Sequence, residues 1–110
     1  MGYIPEQGDL LWLDFDPSSG KEIMKRRPAF VISKKAFNEH TKMAIVAPIT
    51  STIRGIKLEV ILNHTKTEGA ILVFQLKSID FVRRKAMFIE KAPTHVIEQV
   101  SCIAQLLVQN

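Results

Sequence analysis

The spacing of apolar residues changes once along this 110-residue chain, and that change limits the folds open to it. As far as Ile89 the apolar side chains come in short runs, set apart by turn formers and charge. After Pro93 they recur at helical spacing. Residues 9–15 (DLLWLDF) put Leu11, Leu13 and Phe15 on one face between Gly8 and Pro17, which predicts a strand. Residues 29–33 and 43–49 read as short buried strands, the second with Pro48 near its end. Residues 56–62 alternate at Ile56, Leu58, Val60 and Leu62, predicting a half-exposed strand. Residues 70–74 follow Gly69 as a further strand, residues 77–82 run on after a bend, and residues 86–89 close the series. Beyond Pro93, Val96, Ile97, Val100, Ile103, Ala104 and Leu107 form one face of an amphipathic helix of about three to four turns. That face packs on the sheet or on a second subunit. The expectation is one mainly β domain over residues 1–110 with a terminal α-helix (α+β), built on a small, strongly bent antiparallel sheet or barrel.

Composition narrows the function classes. With 46% hydrophobic and 24% charged residues the chain is neither disordered nor fibrous. A single Cys102 excludes an intramolecular disulfide framework and any paired-cysteine metal clasp, and points to a reducing, cytoplasmic setting. Placed beside the apolar face of the helix, Cys102 reads as packing rather than as a nucleophile. No apolar run approaches the roughly 18 residues of a membrane span, and the first ten residues carry acid where a signal peptide carries base. His40, His64 and His95 lie far apart in polar contexts and read as isolated surface histidines, so neither metal nor cofactor is expected. Glycine-rich phosphate loops and nucleophile elbows are missing from the sequence.

The net charge of +4 is unevenly spread. Residues 1–20 carry −4 and residues 21–57 carry +7. A basic middle suits a polyanion partner, or else is a solvated loop. Within it, residues 16–28 (DPSSGKEIMKRRP) form a long polar loop, a feature more often functional than idle in a small domain. Arg27 stands where that loop enters a strand, with Pro28 fixing the backbone; a guanidinium so held grips a phosphate through two parallel hydrogen bonds. Glu22, among the four cations Lys21, Lys25, Arg26 and Arg27, is either their counter-ion or a general base. Thr50, Ser51 and Thr52 after Pro48 are either turn formers or hydroxyls that orient a phosphate oxygen.

The segments GDLLWLDFDPSSGKE, RRPAFVIS, VAPIT and QLKSID, in that order over residues 8–80, resemble the MazF/PemK (Kid) family of toxin–antitoxin ribonucleases. Members of that family show a GD-x-x-x-x-DFDP-like start, a G-x-E-Q-x-G-x-RP loop, a P-x-T strand end and a Q-x-[KR]-[ST]-ID segment. The resemblance implies a small SH3-like barrel of the plasmid-maintenance-toxin (CcdB/MazF) type, working as a homodimer. It implies metal-independent, sequence-selective cleavage of single-stranded RNA, chiefly messenger RNA. It also implies a cognate MazE-like antitoxin whose acidic tail covers the RNA groove, and no membrane partner. Carried over by position, Arg27 acts on the scissile phosphate, Thr50 lies beside it, and Glu22 shapes or activates the site. Lys21, Lys25, Arg26, Ser51, Thr52, Arg54, Lys57, Gln75 and Lys77 are the expected RNA contacts. The chain departs from the family pattern at Lys21, Ile23, Lys25 and Phe74, where relatives carry a histidine, a glutamine, a glycine and an acid. Phe74 removes the acid proposed as base in some members. Two rivals stay open: a non-catalytic toxin of the CcdB type that binds gyrase, and a relative that binds RNA or antitoxin without cutting.

Overall fold

The computed structural model describes residues 2–14 and 26–109. Seven strands form one curled antiparallel sheet: β1 (Asp9–Asp14), β2 (Arg26–Val31), β3 (Ala44–Thr50), β4 (Glu59–Leu62), β5 (Gly69–Leu72), β6 (Lys77–Ile79) and β7 (Met87–Lys91). Helix α1 (Lys35–Thr41) links β2 to β3, and α2 (Thr94–Val108) ends the chain. The order across the sheet is β4-β5-β3-β2-β1-β7, with β6 pairing β3. A mainly β domain with a terminal helix is therefore the observed class.

Period-2 alternation gives the sheet two apolar faces. Leu10, Phe30, Ala47, Ile49, Val60, Leu62 and Ile71 pack beneath Val96 and Val100 of α2. Leu11, Leu13, Ala29, Val31, Ala44, Val46 and Ile79 form a second cluster on the opposite side, closed by Phe81 and flanked by Tyr3 and Ala86. Both faces being covered is why residues 29–31 and 70–72 are buried without a break.

Gly8, Asp9 and Asp14 of the first motif serve this frame, while Phe15 lies outside the described residues. Gly8 sits at φ +92°, which a residue with a side chain rarely adopts, and a Cβ there would lie 2.3 Å from Ile97 Cδ1 and force that side chain of α2 to shift. Asp9 is buried and accepts hydrogen bonds from the Tyr3 hydroxyl and from the Glu6 N–H (3.0 Å), while Lys91 Nζ stands 2.7 Å from its other oxygen. Burial, reinforced by the bond to Asp9, holds the Tyr3 phenol protonated well above its ordinary range. Asp14, also buried, takes a 2.7 Å bond from Arg26 Nη1, whose second nitrogen donates to the Lys85 carbonyl at 2.8 Å. Arg26→Ala leaves that carboxylate without its cation; the expected loss is about 1–3 kcal/mol, toward the low end because Arg26 is partly exposed, read from the urea midpoint.

Several boundaries differ from the sequence expectation. Arg26 and Arg27, read as loop, belong to β2. The strand expected over residues 56–62 begins only at Glu59: Ile56 and Leu58 are exposed, and Gly55 at φ +72° turns the chain away from the sheet. The strand expected over residues 70–74 ends at Leu72 in a 3₁₀ turn, Val73–Gln75, which sinks Val73 into the core under α2. β6 stops at Ile79 because Asp80 accepts the N–H groups of Val82 and Arg83 and closes a turn. Helix α1 was not expected; it is short and polar, and its one buried residue, Asn38, donates to the Pro5 carbonyl at 2.8 Å. Cys102 is exposed rather than packed, about a third of a turn away from the Val96–Val100 stripe. Leu107 lies on the apolar stripe yet remains exposed, as do Leu106 and Val108 at the helix end.

Candidate active site

β3 forks the sheet. Along one edge it pairs β2 through Val46–Pro48; along the other, β6 takes Ala44–Val46 and β5 takes Ile49 and Thr50. Ala47 and Pro48 are left unpaired on that second edge, which is where a proline's missing N–H costs no ladder bond. The 3₁₀ turn Val73–Gln75 bridges β5 to β6 across the gap.

A groove of about 430 Å³ opens at this fork, lined by Arg27, Pro48, Ile49, Thr50, Arg54, Leu72, Gln75 and Lys77. It continues the face that carries Ala29, Val31 and Val46 inward. By strand alternation Arg27 follows Ala29, Pro48 and Thr50 follow Val46, and Lys77 precedes Ile79, so the face turns from apolar to cationic at its end. Among the described residues, three cations and no carboxylate line it. Such a surface selects an anion.

Arg27 is exposed and makes no ion pair among the described residues, leaving its paired donors for a ligand. Thr50 Oγ1 accepts the Thr52 N–H at 3.1 Å, which leaves the hydroxyl's own hydrogen free to donate. Close packing fixes Thr50: a Cβ on Gly69 would lie 2.2 Å from the Thr50 carbonyl oxygen, so β5 approaches this strand end only because residue 69 is glycine, at φ +132°.

The structure brings five of the expected residues to one groove: Arg27, Thr50, Arg54, Gln75 and Lys77. Ser51, Thr52 and Lys57 are exposed on the segment beside it without lining it. Arg26 alternates to the other side of β2 and is engaged by Asp14 and Lys85. Glu22, Lys21 and Lys25 lie outside the described residues. Phe74, the departure from the family's acid, is exposed on the 3₁₀ turn next to Gln75. His40, His64 and His95 are exposed and scattered, and no group of three or more potential metal ligands occurs among the described residues. No helix there is long and apolar enough to cross a membrane. Gly69, which packs against Thr50, and Glu59, which accepts the N–H of Gly55 next to Arg54, support the groove without lining it and were not among the expected site residues.

Comparison with known proteins gives a consistent result. The family described as PemK-like, MazF-like toxin of type II toxin–antitoxin systems matches residues 6–107. The endoribonuclease toxin MazF of Escherichia coli K12 is 40% identical over 84 residues, 76% of each chain. The crystal structure of MazF from Deinococcus radiodurans superposes with a TM-score of 0.86 at 34% identity, covering 99% of this chain and all of that one. A MazE–MazF complex from the same organism superposes at 0.87 with 34% identity, covering 96% and 97%.

Proposed function

The chain belongs to the PemK-like, MazF-like toxins of type II toxin–antitoxin systems, and we propose that the groove at the β3 fork is the RNA-cleaving centre of an endoribonuclease. The observation that carries this reading is the placement of the Arg27 and Thr50 donors on one anion-selecting surface. RNA holds its own nucleophile. Its 2′-oxygen attacks the adjacent phosphorus and the 5′-oxygen of the next nucleotide leaves, giving a 2′,3′-cyclic phosphate and a 5′-hydroxyl. One proton leaves the 2′-oxygen and one reaches the departing 5′-oxygen, so the protein supplies a base, an acid and cationic support for the phosphate. Arg27 clamps the non-bridging oxygens, whose charge grows in the transition state, and Thr50 donates its hydroxyl hydrogen to the same group. Glu22 is assigned as base or base-orienter on the family pattern alone. Arg54 and Lys77 hold flanking phosphates, and Gln75 offers a donor and an acceptor to a splayed base.

A cognate antitoxin is the expected protein partner, since a relative is solved as a MazE–MazF complex. An acidic segment complements the three cations of the groove and competes with RNA for them. A homodimer is the proposed assembly, with the apolar side chains exposed along β1, β7 and the end of α2, among them Trp12, Met87 and Leu106, as the surface available for it. The protein is tested with a long purified RNA in EDTA. Discrete fragments are expected; intact RNA, with or without added magnesium, removes the nuclease reading and leaves the gyrase-binding or non-cutting alternatives.

A further inference from the structure

Glu59 opens β4, yet it is only 8% exposed, and one of its carboxylate oxygens, Oε2, has no hydrogen-bond partner. Burying a carboxylate is costly, and an unpaired oxygen adds to that cost. Its other oxygen, Oε1, accepts the Gly55 N–H at 2.7 Å, a short, charge-assisted bond. Gly55 holds φ +72° with open space around its Cβ position, so no side-chain packing encloses residue 55 and this bond is a principal contact on the turn. The Glu59 N–H reaches back to the Ile56 carbonyl at 3.4 Å and closes the same turn. Residues 51–58 have no regular strand or helix and are exposed throughout, so few other contacts hold them. Arg54 immediately precedes Gly55 and is the one residue of this segment that reaches the groove beside Arg27 and Lys77.

We propose that Glu59 is a positioning residue for RNA: its buried carboxylate latches Gly55, and the latch keeps Arg54 in the groove as a phosphate contact. The inference rests on reading the groove as an RNA site. The carboxylate faces the underside of the segment and touches no substrate; it acts through Arg54. The cost of the buried charge is thereby explained, because an apolar residue at position 59 would pack as well and hold nothing.

The test measures binding of single-stranded RNA, 2′-O-methylated so that it cannot be cut, across a range of salt concentrations. Each phosphate contact contributes about 0.7 to the slope of log K against log salt for a single strand. Arg54→Ala and Glu59→Ala should each make the slope shallower by about 0.7, and the double variant by that same amount rather than twice it. Glu59→Gln should restore most of the slope, since its amide oxygen still accepts the Gly55 N–H. On cuttable RNA the Glu59→Ala loss should fall on KM, with kcat within about twofold. Should Glu59→Ala not fold, Gly55→Val attacks the latch from its exposed side and should reproduce the Arg54→Ala slope. A Glu59→Ala or Gly55→Val protein with the wild-type slope, or additive losses in the double variant, overturns the latch. Wild-type protein that binds RNA with no salt dependence overturns the RNA reading itself, and the latch with it.

Discussion

Arg27→Ala should cut RNA about 10²–10³ times more slowly than the wild type, the usual cost of removing one donor aimed at developing transition-state charge. The side chain is exposed and makes no ion pair among the described residues, so its loss should leave the fold intact and the melting curve unchanged. Arg27→Lys should recover only part of the rate. An ammonium supplies charge but not two parallel donors in one plane, and it is the planar fork that matches two phosphate oxygens. Rates are to be compared on one labelled oligoribonucleotide under single-turnover conditions. Cleavage by Arg27→Ala within tenfold of wild type removes Arg27 from the role assigned to it.

Gly69→Ala should have the second large effect, and it should act on both stability and rate. The added Cβ would stand 2.2 Å from the Thr50 carbonyl oxygen and 3.0 Å from the Thr50 carbonyl carbon, both of them backbone atoms that cannot swing aside. The left-handed φ of +132° adds strain of about 1–3 kcal/mol for a residue with a side chain. In a domain of this size each kcal/mol lowers Tm by roughly 4–8 °C. The displaced strand end is the one that carries the Thr50 hydroxyl, and a misplacement near 1 Å in a catalytic group costs about 10²-fold in rate. Cleavage measured well below the variant's own Tm should therefore remain strongly reduced. A variant that melts early yet cuts at the wild-type rate when folded would show that the position of Thr50 does not matter.

Much of this arrangement is legible in the sequence, and the gaps have physical causes. Alternation at Leu11 and Leu13 follows from period-2 patterning, the burial of residues 29–31 and most of 44–49 from short continuous apolar runs, and the stripe from Val96 to Ala104 from the helical period. The same patterning misread residues 56–62. Ile56 and Leu58 keep the apolar phase of Val60 and Leu62 while the chain leaves the sheet at Gly55, and Glu59, in the phase of a solvent face, is buried. Periodicity reports side-chain character and is blind to a turn held by one carboxylate and one N–H. Arg27 could be singled out from local context because it sits beside Pro28 at a strand boundary, whereas Thr50, two residues after Pro48, owed its role to the family resemblance. That Gln75 and Lys77 join them could not be derived from spacing, since it depends on β3 pairing two strands along one edge. Gly69 was visible only as a turn signal, because nothing in its neighbourhood reveals that its missing side chain makes room for a strand nineteen residues earlier.

The central claim is that the groove at the β3 fork cuts RNA by activating the substrate's own 2′-hydroxyl. Primer extension on a long RNA treated with the protein in EDTA locates a cut. A short oligoribonucleotide spanning it is then made with a single 2′-deoxy nucleotide on the 5′ side of the scissile phosphate. The account predicts that this one missing oxygen abolishes cleavage at that bond, while the all-ribose control yields a 2′,3′-cyclic phosphate and a 5′-hydroxyl. Cleavage of the deoxy substrate at the control rate would contradict it.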